Sequence, residues 1–321
     1  MKVGMVTDSL GHLNQDDMLR AAAELGLSHV EFCCGNWSSA PHLNLKELLS
    51  SGDARRNFLA KVKDHGLSIS ALNASGNPLH PGASGKEHEA CADATLELAG
   101  LLGIDRVVMM SGLPGGPGDQ WPNWITVAWP PFCGQILDYQ WNEVAIPWWK
   151  ERVKLANRHG VGRLCIEFHG GQLVYNVPSF WRLREAVGET VGVNFDPSHL
   201  IWMGADPLAC IHDLGDAIYH VHAKDTWVNA RQTALTTRLE NLHGSKNRER
   251  SWNYVTLGYG QDELWWKQFC YHLRQVGYDD VLSIEHEDAV MARDEGLVKS
   301  VALLKRCLAD AVSDYTLPDI G

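Results

Sequence analysis

Short apolar runs alternate with longer helical patterns eight times along this chain, and that alternation limits its fold more than any other feature. The predicted strands span Lys2 to Val6, His29 to Phe32, Ser68 to Asn73, Arg106 to Met110, Leu164 to Phe168, Val191 to Phe195, Ile218 to His222 and Val281 to Glu285. Several are apolar at consecutive positions, as expected for strands with both faces buried. Eight such repeats favour a closed (β/α)8 barrel, the TIM barrel, in one domain of residues 1–321.

The stretches between these strands have helical periodicity, and many carry signals for a helix end. Asn14 is a predicted N-cap, and Gly26 is a predicted stop for the first helix. The predicted helices span Gln15 to Leu25, Ala54 to His65, Glu87 to Leu102, Ala145 to His159, Pro178 to Val187, Pro207 to Leu214, Glu263 to Val276 and Met291 to Ala309.

Two segments interrupt the repeat, and each follows a strand. Residues 112–141 follow the fourth strand and are rich in proline, glycine and tryptophan, whereas residues 226–258 follow the seventh strand and are polar. A barrel would place both at the rim where its strands end. Long loops of this kind are often lids or binding loops, but an insertion that packs on itself or on another subunit has the same composition. Both interpretations stay open.

The bulk composition excludes some classes of protein. The formal net charge is −11 and no long Lys/Arg-rich run occurs, which argues against nucleic-acid binding. No apolar run reaches the length of a membrane span, so we expect no membrane insertion. The eight cysteines form no C-x-x-C pair, and we expect reduced thiols in a cytoplasmic protein.

Four of the later predicted strands end in side chains that bind hard or borderline cations: Glu167, Asp196, His222 and Glu285. A lone buried carboxylate is costly, so it shifts its pKa, pairs or binds a metal. Carboxyl ends of consecutive barrel strands converge, and we predict a divalent metal site. Three carboxylates and one imidazole suit Mn²⁺, which we favour, or Mg²⁺, Co²⁺ and Zn²⁺. Of His220 and His222, we expect one to point inward and the other outward.

Five sequence motifs at these strand ends resemble those of one family. They are Ile166-Glu167, Asp196-x-x-His199, His222-x-Lys224-Asp225, Leu257-Gly258-x-Gly260 and Ser283-Ile284-Glu285. In these motifs the chain resembles the xylose-isomerase-like TIM barrels of the sugar phosphate isomerase/epimerase family. That family includes D-tagatose 3-epimerase-type enzymes, inosose dehydratases and endonuclease IV.

The resemblance implies roles for individual residues. It implies that Glu167, Asp196, His222 and Glu285 hold the metal and that the two glutamates also move protons on opposite faces of a sugar. In such enzymes the metal stabilises an enediolate. His199 matches a histidine near the metal and the substrate, although capping the following helix is an alternative for it.

Further candidates for substrate binding depend on position alone. Lys224 could bind a substrate oxygen, or it could pair with a ligand carboxylate, Asp225 or another loop acid. His169 directly follows a ligand strand. Trp37 and His80 could form the wall of a sugar pocket, although core packing is the default for such residues.

The leading function is therefore a metal-dependent isomerase or epimerase of a sugar or keto-sugar. Lys224 and Asp225 stand where epimerases often have an arginine, and the first insertion is longer than a small sugar needs. Both departures leave room for a lyase that acts by β-elimination on a 3-keto-glycoside or inosose, with a small partner subunit or as a homo-oligomer. An endonuclease IV-like hydrolase would need further histidines, such as His12, His42 and His80. A sugar-binding barrel without catalysis is the last alternative.

Overall fold

Eight parallel strands close into a barrel in the computed structural model, which describes residues 1–309 and 311–318. The remaining residues of the predicted domain lie outside the described ones. The strands are β1 (Lys2–Val6), β2 (His29–Cys33), β3 (Ser68–Asn73), β4 (Arg106–Met110), β5 (Arg163–Glu167), β6 (Val191–Phe195), β7 (Ile218–Ala223) and β10 (Val281–Ile284). The order around the barrel is β1-β10-β7-β6-β5-β4-β3-β2, and pairing of β2 with β1 closes the ring.

The predicted (β/α)8 barrel is confirmed, because the apolar runs are buried on both faces as the pattern requires. All five residues of β4 are buried, and so are all five of β6. Gly192 in β6 has a specific packing role, since a Cβ there would lie 2.1 Å from Cδ2 of Tyr219 on the neighbouring strand. Only glycine fits at that contact.

Helices surround the barrel. They are α1 (Gln15–Glu24), α2 (Leu45–Ser50), α3 (Gly52–Asp64), α4 (Ala83–Leu102), α5 (Phe132–Tyr139), α6 (Ile146–Arg158), α7 (Val177–Val187), α8 (Pro197–Met203), α9 (Pro207–Leu214), α10 (Ala230–Thr236), α11 (Glu263–Gln275) and α12 (Arg293–Cys307). Within the described residues, no helix has the length and apolar character that a membrane crossing requires. The short helices α2, α5, α8 and α10 were missed by the sequence patterns.

Residues 112–141 form an irregular segment that ends in α5 and a π-helical turn, Gln140–Ala145. Its tryptophans fall into two groups. Trp141 is buried beneath the guanidinium of Arg182, and Trp124 packs edge-on against Tyr175. Trp121 and Trp129 are 75% and 73% exposed. The segment is therefore anchored by one pair of tryptophans and presents the other pair to solvent.

The second insertion folds as an antiparallel hairpin of β8 (Asp225–Val228) and β9 (Trp252–Val255), with α10 between the strands. The carboxylate of Asp225 fixes its base. That carboxylate accepts hydrogen bonds from the backbone amides of Thr226, Gly258, Gly260 and Gln261. A Cβ at Gly260 would lie 2.3 Å from a backbone oxygen of Thr226, which explains the glycine at that position of the motif.

We expect Asp225→Asn to lower the free energy of unfolding by about 2 to 3 kcal/mol, because an amide nitrogen would face buried N–H donors that the carboxylate now satisfies. Chemical denaturation measures the change. The exposed Asp216→Asn is a matched control and should stay within about 0.5 kcal/mol of the parent. Equal stability of both variants would show that Asp225 does not organise the hairpin.

Candidate metal centre

Four adjacent barrel strands bring the predicted ligands together at one end of the barrel. Glu167 ends β5, Asp196 directly follows β6, His222 lies in β7 and Glu285 directly follows β10. One potential ligand atom from each of these residues lies within 4.8 Å of all the others. His222 Nδ1 is 3.2 Å from Glu167 Oε2 and 3.3 Å from Glu285 Oε2. This geometry could hold one cation.

Two buried atoms of the cluster lack a hydrogen-bond partner among the described residues, namely Asp196 Oδ2 and His222 Nδ1. The other oxygen of Asp196 accepts from the backbone amide of Ser198 and so caps α8. Unsatisfied polar atoms are uncommon in protein interiors and call for an explanation. A divalent cation bound by three carboxylates and one imidazole nitrogen would satisfy both atoms, so the residues present fit the metal that the sequence predicts.

The pKa values within the cluster also indicate a shortage of positive charge. The pKa of Asp196 is raised to about 8, chiefly by burial, with Glu167 and Glu285 also raising it and Lys224 opposing them. Burial would also raise the pKa of Glu167, but His222 and His199 outweigh it and hold that pKa well below its usual range. One carboxyl group of the cluster is therefore left without a compensating cation, and a bound divalent ion would stabilise its ionised form.

Glu31 on β2 orients His222 from inside the barrel, and sequence reasoning missed it. It is fully buried and accepts hydrogen bonds from Asn73 Nδ2 (2.8 Å), His220 Nε2 (2.7 Å) and His222 Nε2 (3.1 Å). Because Nε2 of His222 donates to Glu31, Nδ1 is the nitrogen that faces the cluster, and it can bind a cation once it has released its proton. The signal in the sequence was a glutamate between two apolar strand residues, Val30 and Phe32.

The expectation that His220 and His222 point to opposite sides was wrong. Both side chains contact Glu31 inside the barrel. Residues two apart on a strand share a face, and the alternation should have been counted that way. Below them, Arg106 Nη1 lies 3.5 Å from His220 Nδ1, and Arg106 also pairs with Asp280 at 2.6 Å. A polar column therefore runs along the barrel axis behind the cluster.

Tyr254 on the rim hairpin is a second residue that sequence reasoning missed. Its hydroxyl lies 2.9 Å from His199 Nδ1, and His199 Nε2 lies 3.0 Å from Glu167 Oε1. A carboxylate can only accept, so Nε2 carries the hydrogen and Nδ1 accepts from Tyr254. The hairpin is held there by stacking of Trp252 on Trp202, with ring centroids 4.7 Å apart. His199 thus contacts a predicted ligand, as well as lying in α8.

A cavity of about 210 Å³ opens beside the cluster and contains most of the predicted substrate-binding residues. Trp37, His169 and Lys224 line it, together with Glu167 and Glu285. Its lining also includes Glu287, together with Asp8 and Ser38, two residues that sequence reasoning did not single out.

The remaining predicted histidines lie outside this cavity. His80 lines a separate cavity and packs against Trp121 at a centroid distance of 5.9 Å. His42 Nε2 contacts the backbone oxygen of Leu13, and His12 lies near Asp294. Two potential metal-binding groups occur among the described residues, the predicted cluster and a group of Glu31, His220 and His222. Neither includes His12, His42 or His80, so the endonuclease-like alternative gains no support.

Lys224 is held by acidic and aromatic neighbours. Its ammonium group lies 3.3 Å from Glu285 Oε2 and 2.8 Å from Glu287 Oε2, and 4.2 Å from the centroid of the Tyr254 ring. These neighbours outweigh the effect of burial and hold the pKa of Lys224 well above its usual range. Lys224 is therefore a buried cation that compensates a predicted ligand and a loop acid, whereas Asp225 is engaged by backbone amides.

Comparison with known proteins identifies one family by sequence and the same fold by structure. The model of the xylose isomerase-like TIM barrel family matches residues 19–307. The chain is 50% identical over 312 residues to Uncharacterized protein YfiH of Bacillus subtilis (strain 168), which covers 96% of this chain and 100% of YfiH. The crystal structure of the IOLI protein with a bound zinc atom has a TM-score of 0.67 at 16% identity, over 96% of this chain and 100% of that chain. A D-tagatose 3-epimerase-like protein has a TM-score of 0.64 at 20% identity, over 96% and 97% of the two chains. Both structures share the fold.

We expect Glu31→Gln to weaken Mn²⁺ binding about 10- to 100-fold, because its amide cannot accept from Asn73 and both histidines as the carboxylate does. Competition with a chelating dye measures the affinity. The exposed Glu24→Gln serves as the matched control. Unchanged Mn²⁺ affinity in a folded Glu31→Gln protein would contradict the orienting role of Glu31.

Replacing Tyr254 with Phe should shift the Nδ1 resonance of His199, because Nδ1 then keeps only a contact of 3.5 Å with Trp202 Nε1, while Glu167 still holds the hydrogen on Nε2. Nitrogen-15 NMR of the histidine side chains in the Zn²⁺-loaded protein reports which ring nitrogen carries the hydrogen and whether the other accepts a hydrogen bond. Tyr271→Phe, at a 65% exposed position on α11, is the matched control. A His199 spectrum identical in parent and Tyr254→Phe would rule out this role.

Proposed function

The chain belongs to the xylose isomerase-like TIM barrel family, and we propose that it is a divalent-metal-dependent isomerase or epimerase of a keto-sugar. The observation that carries the proposal is the position of Glu167 and Glu285. Both belong to the potential ligand set, and both line the same cavity. Two carboxylates that flank one bound substrate can remove a proton from a carbon next to a carbonyl and return one to it.

The cation would be held by Glu167, Asp196, His222 Nδ1 and Glu285, and we propose Mn²⁺ as the preferred ion. When bound, such an ion supplies Lewis-acid polarisation of a carbonyl, which makes the neighbouring C–H bond more acidic. Asp196 supports this role, since its Oδ2 is buried without a hydrogen-bond partner among the described residues.

Glu167 is held in one orientation for proton transfer. Its Oε1 is within hydrogen-bond distance of His199 Nε2, and its Oε2 accepts from Asn194 Nδ2 at 2.9 Å. A fixed carboxylate meets a substrate C–H bond without first reorganising, which is how a positioned base contributes to rate.

Glu285 differs in its access to solvent. Its side chain is 24% exposed and pairs with Lys224, whereas the Glu167 side chain is 4% exposed. β6 and β7 separate the strands that carry the two glutamates, so the two carboxylates approach the cavity from different sides. A proton held by Glu285 can exchange with water, and turnover in deuterated water should therefore label the substrate carbon.

The lyase alternative uses the same proton removal but expels a leaving group. Its main support in the sequence was the length of the first insertion. Among the described residues that line the cavity beside the cluster, none comes from residues 112–141. The insertion therefore gives no evidence for a larger substrate, and isomerisation or epimerisation remains the better proposal.

Deuterium wash-in tests the proposed function directly. We expect the Mn²⁺-loaded protein to introduce solvent deuterium next to the carbonyl of at least one ketose, and excess chelator to stop the exchange until Mn²⁺ is restored. Mass spectrometry and NMR identify the labelled carbon. Absence of exchange in every ketose and keto-glycoside tried would contradict the proposal, and an enone absorbance would favour a lyase.

Glu167→Gln and Glu285→Gln should each slow the exchange about 100-fold or more, because each removes a proton-transferring carboxylate. Metal content is measured for each variant, so that loss of the ion is separated from loss of proton transfer. Glu24→Gln, on the outside of the barrel, should exchange at the parental rate. Parental rates in both site variants would refute the assignment of these residues.

A further inference from the structure

Resting on the proposed function, we infer that the substrate is an uncharged polyhydroxylated ketone and that phosphate esters and carboxylic acids are excluded. The inference depends on the balance of charge around the cavity. Carboxylates lining the cavity or completing the cluster come from Asp8, Glu167, Asp196, Glu285 and Glu287. Lys224 and one divalent ion contribute three positive charges against these five, so the loaded site keeps a net negative charge.

Lys224 is the sole lysine or arginine among the described residues lining this cavity, and it is already engaged. Two carboxylates and the face of Tyr254 surround its ammonium group, and its side chain is 4% exposed. To bind a phosphate, Lys224 would have to leave Glu285 and Glu287. That change would leave Glu287 unpaired and remove one partner of Glu285 beside the incoming anion, which is costly in a partly buried site.

Asp8 adds a carboxylate on the β1 side of the cavity. One of its oxygens accepts from the hydroxyl of Ser38, and the other is buried without a hydrogen-bond partner among the described residues. A free carboxylate oxygen accepts a hydrogen bond from a sugar hydroxyl but repels a phosphate or a carboxylate. Asp8 therefore favours the same class of ligand as the opposite side of the cavity.

The uncharged lining residues also suit hydroxyl groups. His169 Nδ1 lies 2.5 Å from the backbone oxygen of Gly170 and donates to it, so in the neutral ring Nε2 is an acceptor. Trp37 lies beside His169, with ring centroids 6.3 Å apart, and offers an apolar face on which a sugar ring can stack. Acceptors and an aromatic face recognise a polyol without requiring a charge on it.

Two paired measurements test the inference on the Mn²⁺-loaded protein. In the first, isothermal titration calorimetry compares the affinities for xylitol and xylitol 5-phosphate. This measurement does not depend on turnover. In the second, deuterium exchange is compared between free ketopentoses or ketohexoses and their terminal phosphate esters. We expect the neutral member of each pair to have an association constant or kcat/KM at least about 30-fold higher, because juxtaposed like charges are strongly unfavourable.

Removing one acidic group that lines the cavity should reduce the difference in affinity between xylitol and xylitol 5-phosphate. Glu287→Gln frees one face of Lys224 and removes one negative charge, so it should improve the relative affinity for xylitol 5-phosphate about 10-fold. Glu24→Gln makes the same charge change far from the cavity and should leave the ratio of the two affinities unchanged.

The outcomes separate this inference from the proposed function. Exchange of phosphate esters as fast as that of free ketoses overturns the inference but leaves the proposed function standing. Exchange of neither class refutes the proposed function, and the calorimetric pair then decides the charge preference of the cavity. Xylitol 5-phosphate binding as tightly as xylitol, or no binding of either, overturns the inference.

Discussion

Several carboxylates are buried at one end of the barrel, and the way their charge is compensated determines the rest of the site. Each has partial compensation from the protein: Glu167 faces His199, Glu285 faces Lys224, and Asp196 accepts one backbone amide. An isolated buried charge costs several kcal/mol even after relaxation. Because Asp196 Oδ2 has no hydrogen-bond partner among the described residues, the protein groups alone do not complete the site. A bound divalent cation is the simplest group that would.

Two residues outside the cluster hold His222 and His199 by hydrogen bonds, one from inside the barrel and one from the rim. Glu31 reaches His222 from across the barrel, and Tyr254 reaches His199 from the rim hairpin. In each case a carboxylate, Glu31 for His222 and Glu167 for His199, determines which ring nitrogen carries the hydrogen, and Tyr254 donates to the other nitrogen of His199. The barrel and the hairpin thus both contribute to one preorganised site, and Asp225 connects the two at the base of the hairpin.

The fold and the four potential ligands could be predicted from sequence because both follow from topology. Parallel strands place all their carboxyl ends together, so residues that follow strands converge wherever the strands close into a barrel. Glu31 and Tyr254 could not be placed in this way. Glu31 is 191 residues from His222, and its contact depends on which strands face each other across the barrel. Tyr254 depends on how an insertion folds back, and the position of His80 depends on the path of another loop.

Anomalous X-ray diffraction from crystals of the Mn²⁺-loaded protein is the decisive experiment on metal binding at the end of the barrel. We predict one manganese peak within about 2.0 to 2.4 Å of an oxygen from each of Glu167, Asp196 and Glu285 and of His222 Nδ1. A peak at another place, or none at a saturating Mn²⁺ concentration, would contradict the account.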